Sequence, residues 1–295
     1  MPGLFVFLWS TGFIGAKYGL PYVEPLTFLS VRFAIVTAIL VPVAVLTRAT
    51  WPKRPAAWGH VAIVGLLVHA TYLGGVFSAI DRGLPAGVAA LIVALQPVVT
   101  AVVVGPLLGE RVTRLQTLGF ALGLGGVVLV LWSKMSPASG VVPAFEGFGV
   151  GAVLCALAAL AGITIGTLYQ KRFCSDLDLR SSTAIQYVAA GVATGVLAFA
   201  METREIQWTG EFLFALGWLT LVLSIGAISL LMLLIRRGAA SRTASLFYLV
   251  PPSTALIAYI IFGETLGAVG VVGVVVTAAG VALVFKAAPI ADRAQ

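Results

Sequence analysis

Residues 97–130 read PVVTAVVVGPLLGERVTRLQTLGFALGLGGVVLV, and residues 251–284 read PPSTALIAYIIFGETLGAVGVVGVVVTAAGVALV. Laid over one another at an offset of 154, they share 10 identities in 34 positions, where a composition rich in Gly and Val gives roughly three. The matches hold one register: Pro97 on Pro251, Thr100 on Thr254, Gly109-Glu110 on Gly263-Glu264, Gly119 on Gly273 and Gly126 on Gly280. The same offset brings Lys17 onto Lys171 and Arg82 onto Arg236, so the duplication extends across each half. We divide the chain into a first repeat, 1–140, and a second, 141–295.

The composition says what solvent this chain uses. Of 295 residues 60% are hydrophobic and only 10% charged, with a mean hydropathy of +1.08. A soluble domain carries about 25% charged residues. A water-soluble domain, a disordered chain and a fibrous protein are all excluded. Spanning a bilayer takes about 20 residues per helix, and apolar stretches between Pro, Gly and charge clusters fall near 4–21, 26–46, 57–79, 86–106, 113–132, 149–170, 181–201, 212–235, 243–262 and 267–286. The fold expected is an all-α polytopic membrane protein of ten transmembrane helices. A barrel would instead alternate polar and apolar positions in runs of about ten. No basic region precedes the first apolar run at Leu4, so that run is expected to stay as a helix rather than be cleaved as a leader.

Five helices per repeat is an odd number, so the second copy enters the membrane from the opposite side. The cations agree. With both termini on one side, 13 Lys and Arg fall there, against four on the other: Lys17, Arg82, Lys134 and Arg204. Positive loops face the cytoplasm, which puts both termini inside. Arg111 and Arg114 follow the first Gly-Glu, whereas Thr265 and Ala268 follow the second; conversely Arg82 becomes Arg236-Arg237. Net charge is +7, but the cations are scattered in twos and threes, which excludes a nucleic-acid partner. Cys155 and Cys174 form neither a CxxC motif nor a disulfide framework.

Polar residues at membrane depth face a bundle interior or a cavity. His69 lies near the middle of the third helix with Tyr72 one turn on, and reads either as a pocket wall or as a packing histidine. Gln96 precedes Pro97 in the fourth helix, and Pro251-Pro252 with Tyr248 stand at the matching point of the ninth. Prolines there free the carbonyls of Val93 and Phe247, and broken helices at corresponding points of two halves point to a binding site. Trp9, Ser10, Gly12 and Phe13 make an aromatic wall on the first helix. Ser224, Ser229 and Ser245 are weaker candidates, since serine also serves close helix packing. Arg32, about 9 Å inside its helix, needs a partner, either Glu24 or a substrate carboxylate, and reads first as structural. Lys17 can snorkel to the headgroups. Glu110 and Glu264 read as caps of the fifth and tenth helices.

Both long stretches resemble the second part of an EamA repeat, the unit of the ten-helix drug/metabolite transporter superfamily. The resemblance covers the whole chain as two copies, and is greatest to the YddG-type amino-acid exporters. It implies a central cavity lined by helices 1, 3, 4, 6, 8 and 9, with helices 5 and 10 peripheral. The expected function is a secondary transporter in the bacterial inner membrane, a monomer exporting small amphipathic metabolites, amino acids foremost, by alternating access. Substrate-binding residues would be Trp9, Ser10, Phe13, His69, Tyr72, Gln96 and Tyr248, with Pro97, Pro251 and Pro252 as kinks at the cavity. No Walker motif, cofactor or metal site is read from the sequence. An intramembrane enzyme would need paired carboxylates, a Ser–His pair or a metal cluster, and a channel would not need mirrored halves. His69 is the only candidate proton carrier at depth.

Overall fold

The computed structural model describes residues 2–100, 113–133, 135–136, 144–145, 148–227, 230 and 247–287. They form ten helices: α1 Pro2–Gly19, α2 Pro25–Leu46, α3 Pro55–Asp81, α4 Ala86–Val99, α5 Arg114–Trp132, α6 Val150–Phe173, α7 Leu179–Met201, α8 Gly210–Gly217 continuing as Trp218–Ala227, α9 Val250–Phe262 and α10 Gly267–Ala287. The parts of the expected spans over 101–106, 231–235 and 243–246 lie outside the described residues. Local chemistry sets the starts. Pro25 and Pro55 occupy first turns, where a missing N–H removes nothing. Thr113 and Gln116 form a capping box on α5, and Thr209 Oγ1 accepts from Phe212 N at α8. Gly263 ends α9 at φ 66°, a left-handed conformation that suits glycine. Met135–Ser136 pairs antiparallel with Ala144–Phe145 between α5 and α6.

Five of these helices, α2, α3, α5, α6 and α7, are long and apolar enough to cross a bilayer by length and composition. The outer faces are correspondingly apolar: Val192, Val196 and Phe199 on α7, Ile260 on α9 and Val275 on α10 are all exposed. Helices suit such a setting because every mid-span backbone group is paired within its own segment. The core between them is aromatic, with Phe28, Phe33, Phe77 and Phe212 fully enclosed.

The duplication becomes geometry. Helices α2 and α7, α4 and α9, and α5 and α10 are counterparts at offset 154, and each packs against its own counterpart. The contact of α1 with α8 recurs as that of α6 with α3. Helices α5 and α10 meet at their glycines. A Cβ on Gly280 would lie 2.5 Å from Gly123 N and 2.6 Å from Gly119 O, and one on Gly126 would lie 2.5 Å from Thr277 N and 2.5 Å from Gly273 O. Those contacts are images of one another, since 119 maps to 273 and 126 to 280. Thr277 Oγ1 reaches Gly123 O at 3.4 Å, across 154 residues, so that pair straddles the pseudo-twofold axis itself.

The same symmetry acts at the helix ends. Glu24, before α2, accepts from Thr203 N, Thr203 Oγ1 and Arg204 N beyond α7. Its counterpart Asp178, before α7, accepts from Thr50 N beyond α2, and from the Arg180 amide and guanidinium. The Arg180 side chain first, then the Thr50 amide, holds the Asp178 carboxyl well below the usual range; the Thr203 hydroxyl bond lowers that of Glu24. Lowered native values mean these junctions contribute fully above the ordinary carboxylate pKa of about 4, and weaken as pH falls through the lowered values. Hydrogen exchange should therefore show the Thr50 and Thr203 amides losing protection only in strong acid. Asp178→Asn should remove that pH dependence at Thr50 and leave it at Thr203.

Candidate functional site

Two helices widen over more than a turn, and both widened stretches face one cavity. Leu66–Thr71 in α3 and Trp218–Ala227 in α8 wind as wider, i→i+5 turns. Offset 154 carries 66–71 onto 220–225, so the two are counterparts. Such turns are rare and concentrate at functional sites. They carry Val68 and His69 on one side and Leu223 and Ser224 on the other, all lining the cavity. Glycines admit them: a Cβ on Gly12 of α1 would lie 2.7 Å from Leu223 Cδ2, and one on its counterpart Gly166 of α6 would lie 2.6 Å from Val68 Cγ2.

The cavity measures about 190 Å³ and is bounded by α1, α2 and α3 of the first repeat and α6, α7 and α8 of the second. That exceeds the roughly 150 Å³ that takes up a benzene molecule. Trp9, Phe13, Tyr72, Phe77 and Tyr187 form its aromatic walls, Leu73, Val76, Ile163 and Leu223 add aliphatic surface, and Arg32, His69 and Ser224 supply charge and polarity. Among the described residues no Asp or Glu borders it. His69 stacks on Tyr187 with ring centroids 4.3 Å apart, and its Nε2 lies 3.3 Å from Gln186 Oε1. Arg32 is 4% exposed; its Nη2 donates to Ser224 Oγ at 3.1 Å, while Nε has no partner.

Four of the expected residues, Trp9, Phe13, His69 and Tyr72, therefore meet around one cavity. Ser10 does not line it: its hydroxyl donates to Val6 O at 2.7 Å and to Val250 O at 3.3 Å, fastening α1 to α9. Gln96 is also off it, donating to Thr167 Oγ1 at 3.0 Å and fastening α4 to α6. Positions 96 and 250 are counterparts, so one junction is built twice with different chemistry. The Tyr248 side chain, Ser229 and Ser245 lie outside the described residues. None of the three prolines lines the cavity. Helix α4 breaks at Ala94–Leu95 just before Pro97, Pro252 stands in the first turn of α9, and Pro251 borders a separate void of about 10 Å³, room for a single water.

The implied lining is corrected in one respect. Among the described residues, α2 and α7 complete the wall through Arg32 and Tyr187, and none from α4 or α9 lines it. Three charged residues are also relocated. Arg32 faces the cavity instead of pairing with Glu24, whose carboxylate the 203–204 segment occupies. Lys17 pairs with Glu264 and lies 4.9 Å from the Phe262 ring. Glu264 caps not α10 but α4, accepting from Ala86 N at 3.2 Å. Glu110 lies outside the described residues.

Two five-helix units, each matched separately, decide the family. The description "EamA-like transporter family" fits residues 4–132 and again residues 150–286. The chain belongs to that family. As an EamA-like chain it is 28% identical over 267 residues to the "Uncharacterized transporter YvbV" of Bacillus subtilis (strain 168), covering 83% of this chain and 77% of that one. It is 28% identical over 262 residues to the "Uncharacterized inner membrane transporter YedA" of Escherichia coli (strain K12), covering 88% and 81%. It is 25% identical over 288 residues to a Salmonella typhimurium protein named "Probable amino-acid metabolite efflux pump", covering 94% and 91%. A solved crystal structure matches with TM-score 0.63 at 21% identity, covering 96% of this chain and 94% of that one, which shows the shared fold. The protein is a multi-pass membrane transporter.

Sequence reasoning missed Tyr187 and its neighbour Gln186. The rule that singled out His69, a polar group in mid-span, applies to Gln186 equally well: it sits eight residues into α7 and is buried. The wide turns left no sequence signal, since neither contains a proline.

Proposed function

We propose that this transporter exports small amphipathic metabolites, amino acids foremost, across the bacterial inner membrane by alternating access, as a monomer with both termini in the cytoplasm. The observation that carries the reading is the cavity's position between the repeats, bounded by three helices of each. Repeats 1–140 and 141–295 then rock against one another around a fixed site. The relative named as an amino-acid metabolite efflux pump supports the substrate class. The aromatic walls suit an apolar side chain, and the polar end suits its charged group. Purified protein in liposomes should exchange labelled amino acids across the bilayer without altering them. Chemical turnover without movement would instead indicate an enzyme.

Two expected outcomes test the arrangement. Cysteines at Arg54 and Arg237 should label from the cytoplasmic face, and those at Lys134 and Arg204 from the opposite face. Labelling of Lys134 and Arg54 from the same side overturns the inverted repeat. Among the described residues on the cavity wall, His69 is the group that a proton-coupled cycle could use. His69 stacks on Tyr187 and meets Gln186, and among the described residues no Asp or Glu borders the cavity to continue a proton path. We therefore read the transport as facilitated diffusion. An imposed pH gradient should leave the exchange rate unchanged in the parent, and His69→Gln should alter affinity alone.

A further inference from the structure

A charged side chain in the middle of a bundle is costly unless something of opposite sign meets it. Arg32 is 4% exposed and points its guanidinium at the cavity, yet its one hydrogen bond is to the neutral Ser224 hydroxyl and its Nε has none. The acids nearest the start of α2 are committed elsewhere. Glu202 accepts from Leu26 N, Thr27 N and Thr27 Oγ1, and Glu24 accepts from Thr203 and Arg204. Among the described residues no carboxylate pairs with Arg32. Its titratable neighbours are the Tyr72 and Tyr187 phenols and His69.

We propose that Arg32, oriented by Ser224, receives the carboxylate of the transported molecule, and that the substrates are monocarboxylates with a ring-sized apolar body whose amino group is dispensable. This rests on the transport reading above and narrows it. A guanidinium presents paired N–H donors that match a carboxylate's two oxygens; here Arg32 lines the cavity and its Nε–H is unused. One cation meets one negative charge, so a dianionic phosphate ester would bring a second charge that nothing in the wall offsets. An ammonium group likewise finds no acid on the wall, only aromatic faces and hydroxyls. About 190 Å³ leaves space for one six-membered ring beside the carboxylate.

Binding of four probes to the full-length protein in detergent tests this: L-phenylalanine, 3-phenylpropanoate, L-phenylalaninamide and phenethylamine. The first two should bind within a few-fold of one another, and the last two at least tenfold more weakly. In Arg32→Gln the two carboxylates should weaken at least tenfold while the amide and amine do not, erasing the preference. Should that variant fail to fold, the series on the parent protein decides alone, with Ser224→Ala expected to reduce carboxylate affinity selectively. Equal binding of the amide or amine, a preference for phenylalanine over phenylpropanoate of tenfold or more, or no binding of any of the four overturns the proposal. Carboxylate-selective binding without movement across liposomes would count against transport of these molecules and leave the Arg32 assignment standing; movement that ignores the carboxylate would do the reverse.

Discussion

Gly280→Leu is expected to leave almost no folded protein. Its Cβ would meet Gly123 N at 2.5 Å and Gly119 O at 2.6 Å, both backbone atoms that cannot rotate away. Inserting bulk into a packed core ordinarily costs about 1–3 kcal/mol, because side chains absorb it. Here only separation of α5 from α10 relieves the clash, so the loss should exceed that range. Gly273→Leu should behave alike, facing Gly126 O at 2.6 Å. Gly125→Leu is the control: it lies on the partner helix α5, with open space at its Cβ. The monodisperse fraction in size-exclusion chromatography reads the difference. Equal yields from Gly280→Leu and Gly125→Leu would refute the close glycine contact.

Glu264→Ala is expected to lower transport about tenfold or more while the protein still folds. One carboxylate joins three segments: Lys17 at the end of α1, the first amide of α4 and the α9–α10 connection. Removing one partner of a fully buried pair costs about 3–5 kcal/mol. The Lys17 and Glu264 side chains are 33% and 12% exposed, and solvent screening reduces the figure to about 1–3 kcal/mol. Each 1.4 kcal/mol is a tenfold change in the balance of two conformations, so the conformation held by this tie should be depopulated. A cysteine at Leu73, on the cavity wall, should then react faster with a thiol reagent added from the Lys17 side. Glu264→Gln keeps an acceptor for Ala86 N but not the ion pair, and should fall between parent and Ala. Unchanged Leu73 reactivity in Glu264→Ala would mean that the tie does not close this end.

The architecture was legible because its signals are long and redundant. Ten apolar stretches and the Pro, Gly-Glu and Gly repeats in one register led to α1–α10 with small errors at the ends. The site was legible only where side-chain type carries the message. His69, Tyr72, Trp9 and Phe13 are polar or aromatic at depth, and depth follows from counting along a helix. What failed depended on which way a side chain turns. Ser10 and Gln96 are polar at depth too, but their partners are Val250 and Thr167 on neighbouring helices. Helix rotation decides between such outcomes, and the widened turns of α3 and α8 alter rotation without any mark in the sequence. Arg32 was read as structural because Glu24 stands eight residues away along the chain. In space that glutamate caps a different junction.

The pair formed by Gly123 and Thr277 is one position brought against itself. In a chain half as long, the same contact would join identical residues of two separate molecules, and the pseudo-axis would become a true axis of an antiparallel homodimer. Such a molecule would have to enter the membrane in both directions. In this single chain the counterparts differ in charge, Arg82 against Arg236-Arg237 and Arg111 against Thr265, and loop cations are what bias a helical segment to one direction in a bilayer. The two halves should accordingly still recognise one another as independent polypeptides, each carrying its own orientation in its loops and its own side of the glycine seam.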